Sequence, residues 1–96
     1  MTDFLYHFVF HLNTGKIKTS DFIIEVINIM REFLSDLFDE DIPGLNINSN
    51  DKPGTHFVEF TCKSKELNEN IPRRIEKVFK DNFHVTEIGF MEDKSL

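Results

Sequence analysis

The stretch FLYHFVFHL, Phe4 to Leu12, decides the fold, because two readings of it lead to two different molecules. As a helix it would set His7 and His11 one turn apart, a chelating pair. As a strand it would put them on one face but about 13 Å apart, at ~3.3 Å per residue. The aromatic and β-branched content, the shortness of the run and the turn-forming NTGK at Asn13 to Lys16 that closes it all select the strand. Its even positions, Phe4, Tyr6, Phe8, Phe10 and Leu12, then form a wholly apolar face, and its odd positions, Leu5, His7, Val9 and His11, a mixed one.

Beyond this strand the period changes. From Asp21 to about Phe38, Ile23, Val26, Ile27, Met30, Phe33, Leu34, Leu37 and Phe38 recur at helical spacing, with Glu25, Asn28, Glu32, Ser35 and Asp36 opposite. Thr19 or Ser20 is expected to cap this helix, Asp21 suits the positive end of its dipole, and Pro43-Gly44 is expected to stop it. Leu45 to Asn48 alternates as a short strand, and the turn cluster Asn50 to Gly54 leads into another at Thr55 to Cys62. A second helix is expected from near Ile71, with Pro72 in its first turn, Asn70 as a cap and Ile75, Val78 and Phe79 as its buried stripe. Asn82 ends it, and His84 to Met91 supplies a fourth strand.

The resulting order, βαββαβ, is that of a ferredoxin-like α+β fold, a four-stranded antiparallel sheet with two helices on one face. Each strand-helix-strand crossover is expected to be right-handed. Ninety-six residues suffice for one hydrophobic core, so residues 1–96 are read as a single domain. Eleven Phe with one Tyr and no Trp predict a core built on phenylalanine.

Composition narrows the function. The net charge of −6 repels phosphate backbones and anionic membranes and favours a basic protein as partner. Most of the excess lies in residues 1–50, with eight acids against three bases. The single Cys62 cannot form an internal disulfide and no Asn-x-Ser/Thr sequon occurs, which together favour a cytoplasmic protein. The opening apolar stretch follows Asp3 without a basic flank and is read as mature structure. No apolar run approaches the roughly 20 residues of a membrane-spanning helix.

Catalytic and cofactor motifs fail on inspection, and neither a cofactor nor a metal is expected. Gly15-Lys16 is followed by Ile17 and preceded by Phe10 where a phosphate loop needs Ser or Thr and Gly. Gly-x-Ser-x-Gly, Cys-x-x-Cys and His-Glu-x-x-His do not occur. Cys62 shares the even side of its strand with Val58 and Phe60 and is read as a small buried hydrophobe.

Two resemblances bear on the sheet's open face. The segment GTHFVEF, Gly54 to Phe60, resembles the RNP1 motif of RNA-recognition domains, which implies a base-stacking role for Phe57 and core roles for Val58 and Phe60. Thr55 stands where that motif has a second aromatic, so shared packing of the third strand is the favoured account of the likeness and RNA binding through Phe57 the weaker alternative. HFVFHL, the helix after it and IPGL at Ile42 to Leu45 resemble the first half of the stress-responsive dimeric α/β-barrel family. That resemblance implies subunits paired through their open sheets. The segment KSKELNENIP after the third strand departs from it, lacking a histidine.

Two surfaces remain as functional candidates. Asp36, Asp39, Glu40 and Asp41 gather at the carboxyl end of the first helix, where negative charge opposes the helix dipole. They point to docking on a basic protein, in the manner of an immunity, antitoxin or phage anti-defence inhibitor. The competing account is neutralisation by Arg73, Arg74, Lys77 and Lys80 of the second helix. The alternative site is the open sheet face, with His7, His11, Phe57, Glu59 and Glu87 serving a small ligand or modest catalysis in a homodimer joined through Leu5, Val9, Phe57 and Val85.

Overall fold

The computed structural model describes residues 4–38, 41–64 and 69–93. The elements run β1 (Phe4–Asn13), α1 (Thr19–Leu34), β2 (Asn46–Ser49), β3 (Thr55–Ser64), α2 (Asn70–Asn82) and β4 (His84–Asp93). The four strands form one antiparallel sheet in the order β2-β3-β1-β4, so the chain has the ferredoxin-like α+β fold. Phe4 to Leu12 is therefore a strand, and it takes the interior of the sheet because its even face has both helices to cover it.

The core follows from that alternation. Tyr6, Phe8, Phe10 and Leu12 of β1 are buried, as are Val58, Phe60 and Cys62 of β3 and Ile47 of β2. Phe22, Val26, Met30 and Leu34 of α1 and Ile75 and Phe79 of α2 close over them. Phe60 is a hub: its ring lies 5.2 Å from Phe8, 6.0 Å from Phe10, 5.6 Å from Phe38 and 5.7 Å from Phe79. Phe10 and Phe79 stack at 4.2 Å with planes 5° apart, fixing α2 over β1.

Helix α1 forms through burial rather than propensity, since Ile23, Ile24, Val26, Ile27 and Ile29 are β-branched residues that lose side-chain freedom in a helix. It differs from expectation at both ends. Lys18 occupies its cap position with no side-chain bond, because the Thr19 hydroxyl is held by His56 instead. The helix ends at Leu34, and Phe38 reaches the core from the segment that follows. Phe22, not Phe33, belongs to the buried stripe: Phe33 is 43% exposed. In α2, Asn70 is part of the helix and Glu69 takes the cap position.

Strand β4 carries a second correction. It pairs with β1 as His11 to Glu87 and then as Leu12 to Val85, so Thr86 is an extra residue, a β-bulge, and its hydroxyl donates to the His11 carbonyl at 3.1 Å. The bulge switches sides. Val85, expected on the open face, lies opposite the core residue Leu12 and packs against the core.

Candidate functional site

On the open face, Leu5, His7, Val9 and His11 of β1 stand between Phe57 and Glu59 of β3 and Glu87 and Gly89 of β4. The register sets Val9 opposite Glu59 and His7 opposite Thr61, so Glu59 reaches His7 on the diagonal, with Oε2 2.9 Å from Nε2. His11 is engaged separately. Asn50 Nδ2 donates to its Nδ1 at 3.3 Å, its ring lies 6.4 Å from that of Phe57, and Glu87 faces it across the β1–β4 ladder. The structure thus brings the expected residues onto one face but divides them into a His7–Glu59 pair and a His11, Phe57 and Glu87 group. Among the described residues no three His, Cys, Asp or Glu lie together as a metal site.

The acidic candidates divide as well. Asp36 accepts two hydrogen bonds from Arg74 of α2, at 2.5 and 2.6 Å, and Arg74 Nη2 also donates to the Phe33 carbonyl at 2.9 Å. That carbonyl is one of the last of α1, so Arg74 satisfies the helix end and neutralises the carboxylate beside it. The hydrogen bond from Arg74 holds the Asp36 carboxyl below its ordinary value. Asp41 is exposed, and Asp39 and Glu40 lie outside the described residues.

The charges on the two helices are arranged differently. Every cation of α2 has a carboxylate nearby: Arg73 at 4.0 Å from Glu69, Arg74 with Asp36, Lys77 at 3.1 Å from Asp81 and Lys80 at 2.8 Å from Glu76. On α1, Asp21, Glu25 and Glu32 fall within one narrow arc of the helical wheel, opposite the buried stripe. All three are exposed, and none is in an ion pair with another described residue. Asp21 to Glu32 spans about 16 Å at ~1.5 Å per residue. Ile24, 59% exposed, stands on the edge of the same face.

Cys62 is buried, and burial pushes its thiol up from the ordinary value of 9.0, the opposite of what a nucleophilic thiolate needs. His56 is the residue that sequence reasoning passed over. It is buried, with Nδ1 2.6 Å from Thr14 Oγ1 and Nε2 2.9 Å from Thr19 Oγ1, and its ring lies 5.0 Å from that of Phe22. Thr14 also donates its hydroxyl to the Gly54 carbonyl at 3.2 Å. That donation leaves Thr14 Oγ1 as acceptor from His56 Nδ1–H, and His56 Nε2 as acceptor from Thr19. The signal was parity: His56 shares the even side of β3 with Val58, Phe60 and Cys62.

Compared with known proteins, the chain matches no protein-family model and no curated protein sequence.

Proposed function

We propose that the protein is a non-enzymatic module that docks on a basic protein surface and inhibits it, using the outer face of α1 and the acidic turn that follows. One observation supports this above the rest: every cation of α2 has a carboxylate nearby, whereas Asp21, Glu25 and Glu32 display their charge along one exposed helix face without an ion pair among the described residues. Like charges four residues apart, as at Asp21 and Glu25, cost a helix about 0.2–0.5 kcal/mol. Such a stripe is better explained by a cationic surface it meets than by the stability of the helix. The exposed Asp41 adds to this charge, Asp39 and Glu40 precede it in the sequence but lie outside the described residues, and Asp36 joins the surface only if a partner's cation displaces Arg74. The exposed Ile24 supplies an apolar contact at the rim.

The test begins with a tagged chain used to capture partners at two salt concentrations with nuclease present. A basic protein should be recovered at low salt and lost at high salt. Two variant sets then locate the surface: Asp21→Asn with Glu25→Gln and Glu32→Gln, and Asp36→Asn with Asp39→Asn, Glu40→Gln and Asp41→Asn. Each set should slow association by roughly tenfold at low salt and flatten its salt dependence. Unchanged association in both sets overturns the assignment.

A further inference from the structure

Unlike the cations of α2, those at the start of α1 are not neutralised. Lys16 and Lys18 of the β1–α1 loop and Lys52 of the β2–β3 turn line a groove of about 570 Å³, and none of the three is in an ion pair with another described residue. That volume falls within the roughly 300–1,000 Å³ of small-molecule sites. Three lysines against one carboxylate, Asp51, leave the groove cationic in a chain that carries −6 overall. The two loops are fastened to each other by backbone. Thr14 N and Gly15 N both donate to the Gly54 carbonyl, at 2.7 and 3.1 Å, and a Cβ on Gly54 would come within 3.2 Å of Gly15 O. Inside the turn, Asn50 N donates to the Thr55 carbonyl at 3.0 Å and the Thr55 hydroxyl to the Lys52 carbonyl at 2.6 Å, so the backbone that carries Lys52 is held in place.

We propose that this groove binds the phosphate group of a small molecule, held by Lys16, Lys18 and Lys52. This proposal is independent of the docking face on α1. Two of these lysines stand where the physics of the helix disfavours them. Lys18 occupies the cap position and Lys16 precedes it closely, at the end of the helix whose dipole is positive. The first helical bond runs from Phe22 N to the Lys18 carbonyl at 2.9 Å, so the amides of Thr19, Ser20 and Asp21 precede it; Lys18 has no side-chain acceptor to offer them, and the Thr19 hydroxyl is taken by His56. A bound anion answers the unpaired ammonium groups and the dipole together. Lysine and backbone amides supply donors only, and the surplus of cations suits a doubly charged group with several acceptor oxygens over a single carboxylate. Asp21 belongs to the outer face of α1 and is not part of the groove. The arrangement differs from a phosphate loop, in which one glycine-rich turn surrounds the group, because here the donors come from two separate loops.

Inorganic phosphate and pyrophosphate serve as probes, titrated at constant ionic strength and followed by calorimetry and by backbone amide chemical shifts. Both should bind saturably, with the largest shifts at Thr19, Ser20 and Lys52. Lys16→Gln with Lys18→Gln should weaken pyrophosphate binding by about tenfold, and Asp51→Asn should tighten it by about threefold, because the one opposing charge is removed. Lys63→Gln with Lys80→Gln takes the same charge from exposed residues outside the groove and should change binding by less than about twofold. Circular dichroism reports whether each variant keeps its fold. Shifts that never saturate, or equal losses in the two lysine pairs, overturn the proposal. So does retention of a single-stranded oligonucleotide by a chain that does not bind pyrophosphate, which would assign the groove to nucleic acid instead.

Discussion

At the scale of single residues, His56 shows how a polar side chain becomes part of a phenylalanine core. Burying an imidazole is tolerable only when its nitrogens are bonded, and Thr14 and Thr19 bond both. His56→Leu leaves the Thr19 hydroxyl without its acceptor and should cost about 1–3 kcal/mol in urea unfolding. Thr19→Val should cost less, and the double variant should fall short of the sum, because both remove the same bond. Additive losses would mean that the bond contributes little. The role of His56 was readable from its parity in β3 but not from local motifs, since its partners lie 42 and 37 residues away in sequence. His7 illustrates the converse. Its pairing with Glu59 could be anticipated from strand alternation, whereas the diagonal geometry required the register.

At the scale of elements, the strands and helices were legible because the apolar period changes cleanly from two to about 3.6 and back. What alternation could not show was the extra residue at Thr86, because a bulge is a property of two strands together; it moved Val85 to the other side of the sheet. Similarly, Phe33 has helical spacing but faces away from the sheet, and Phe22 was missed because it precedes the run of aliphatic residues. The acidic turn has a pH consequence at this scale. Asp36 titrates below its ordinary value of 3.8 because of Arg74, so the stabilisation from this pair is complete above 3.8 and is lost as the pH falls through the lowered value. Asp36→Asn removes that dependence. The urea midpoints of wild type and variant should therefore differ modestly at pH 7, the pair being exposed, and converge as the pH drops below 3.8. A gap that widens in acid would contradict the pairing.

At the scale of the whole molecule, one aromatic cluster joins the two strand-helix-strand halves, and Phe60 is where they meet. Phe8 and Phe10 come from the first half and Phe79 from the second, and all three rings lie within 6.0 Å of it. Phe60→Ala should cost about 3–5 kcal/mol, read as a lower urea midpoint at an unchanged denaturant slope. A cost below 1 kcal/mol would show that the cluster repacks. Charge is also organised globally: Lys16, Lys18 and Lys52, with Asp51 among them, line a groove between the β1–α1 and β2–β3 loops, while Asp21, Glu25 and Glu32 lie along the outer face of α1. Under the proposed docking function, a cationic partner would be steered toward the side that carries these carboxylates. None of this polarity could be read from a net charge alone, because the sequence does not say which cations are already paired.

The start of α1 has a consequence for the order of events in folding. With lysine at the cap position and the Thr19 hydroxyl held by a residue of β3, the first turn of this helix is fixed by a strand that is made later in the chain. Residues 1–34 thus carry the helix's apolar stripe but not the group that fastens its first turn. Thr19→Val should leave the refolding rate almost unchanged and accelerate unfolding, as for contacts formed after the rate-limiting step. Stopped-flow kinetics in urea would show it as a shift of the unfolding limb alone, and the helix would be the first element whose end frays when β3 is disturbed.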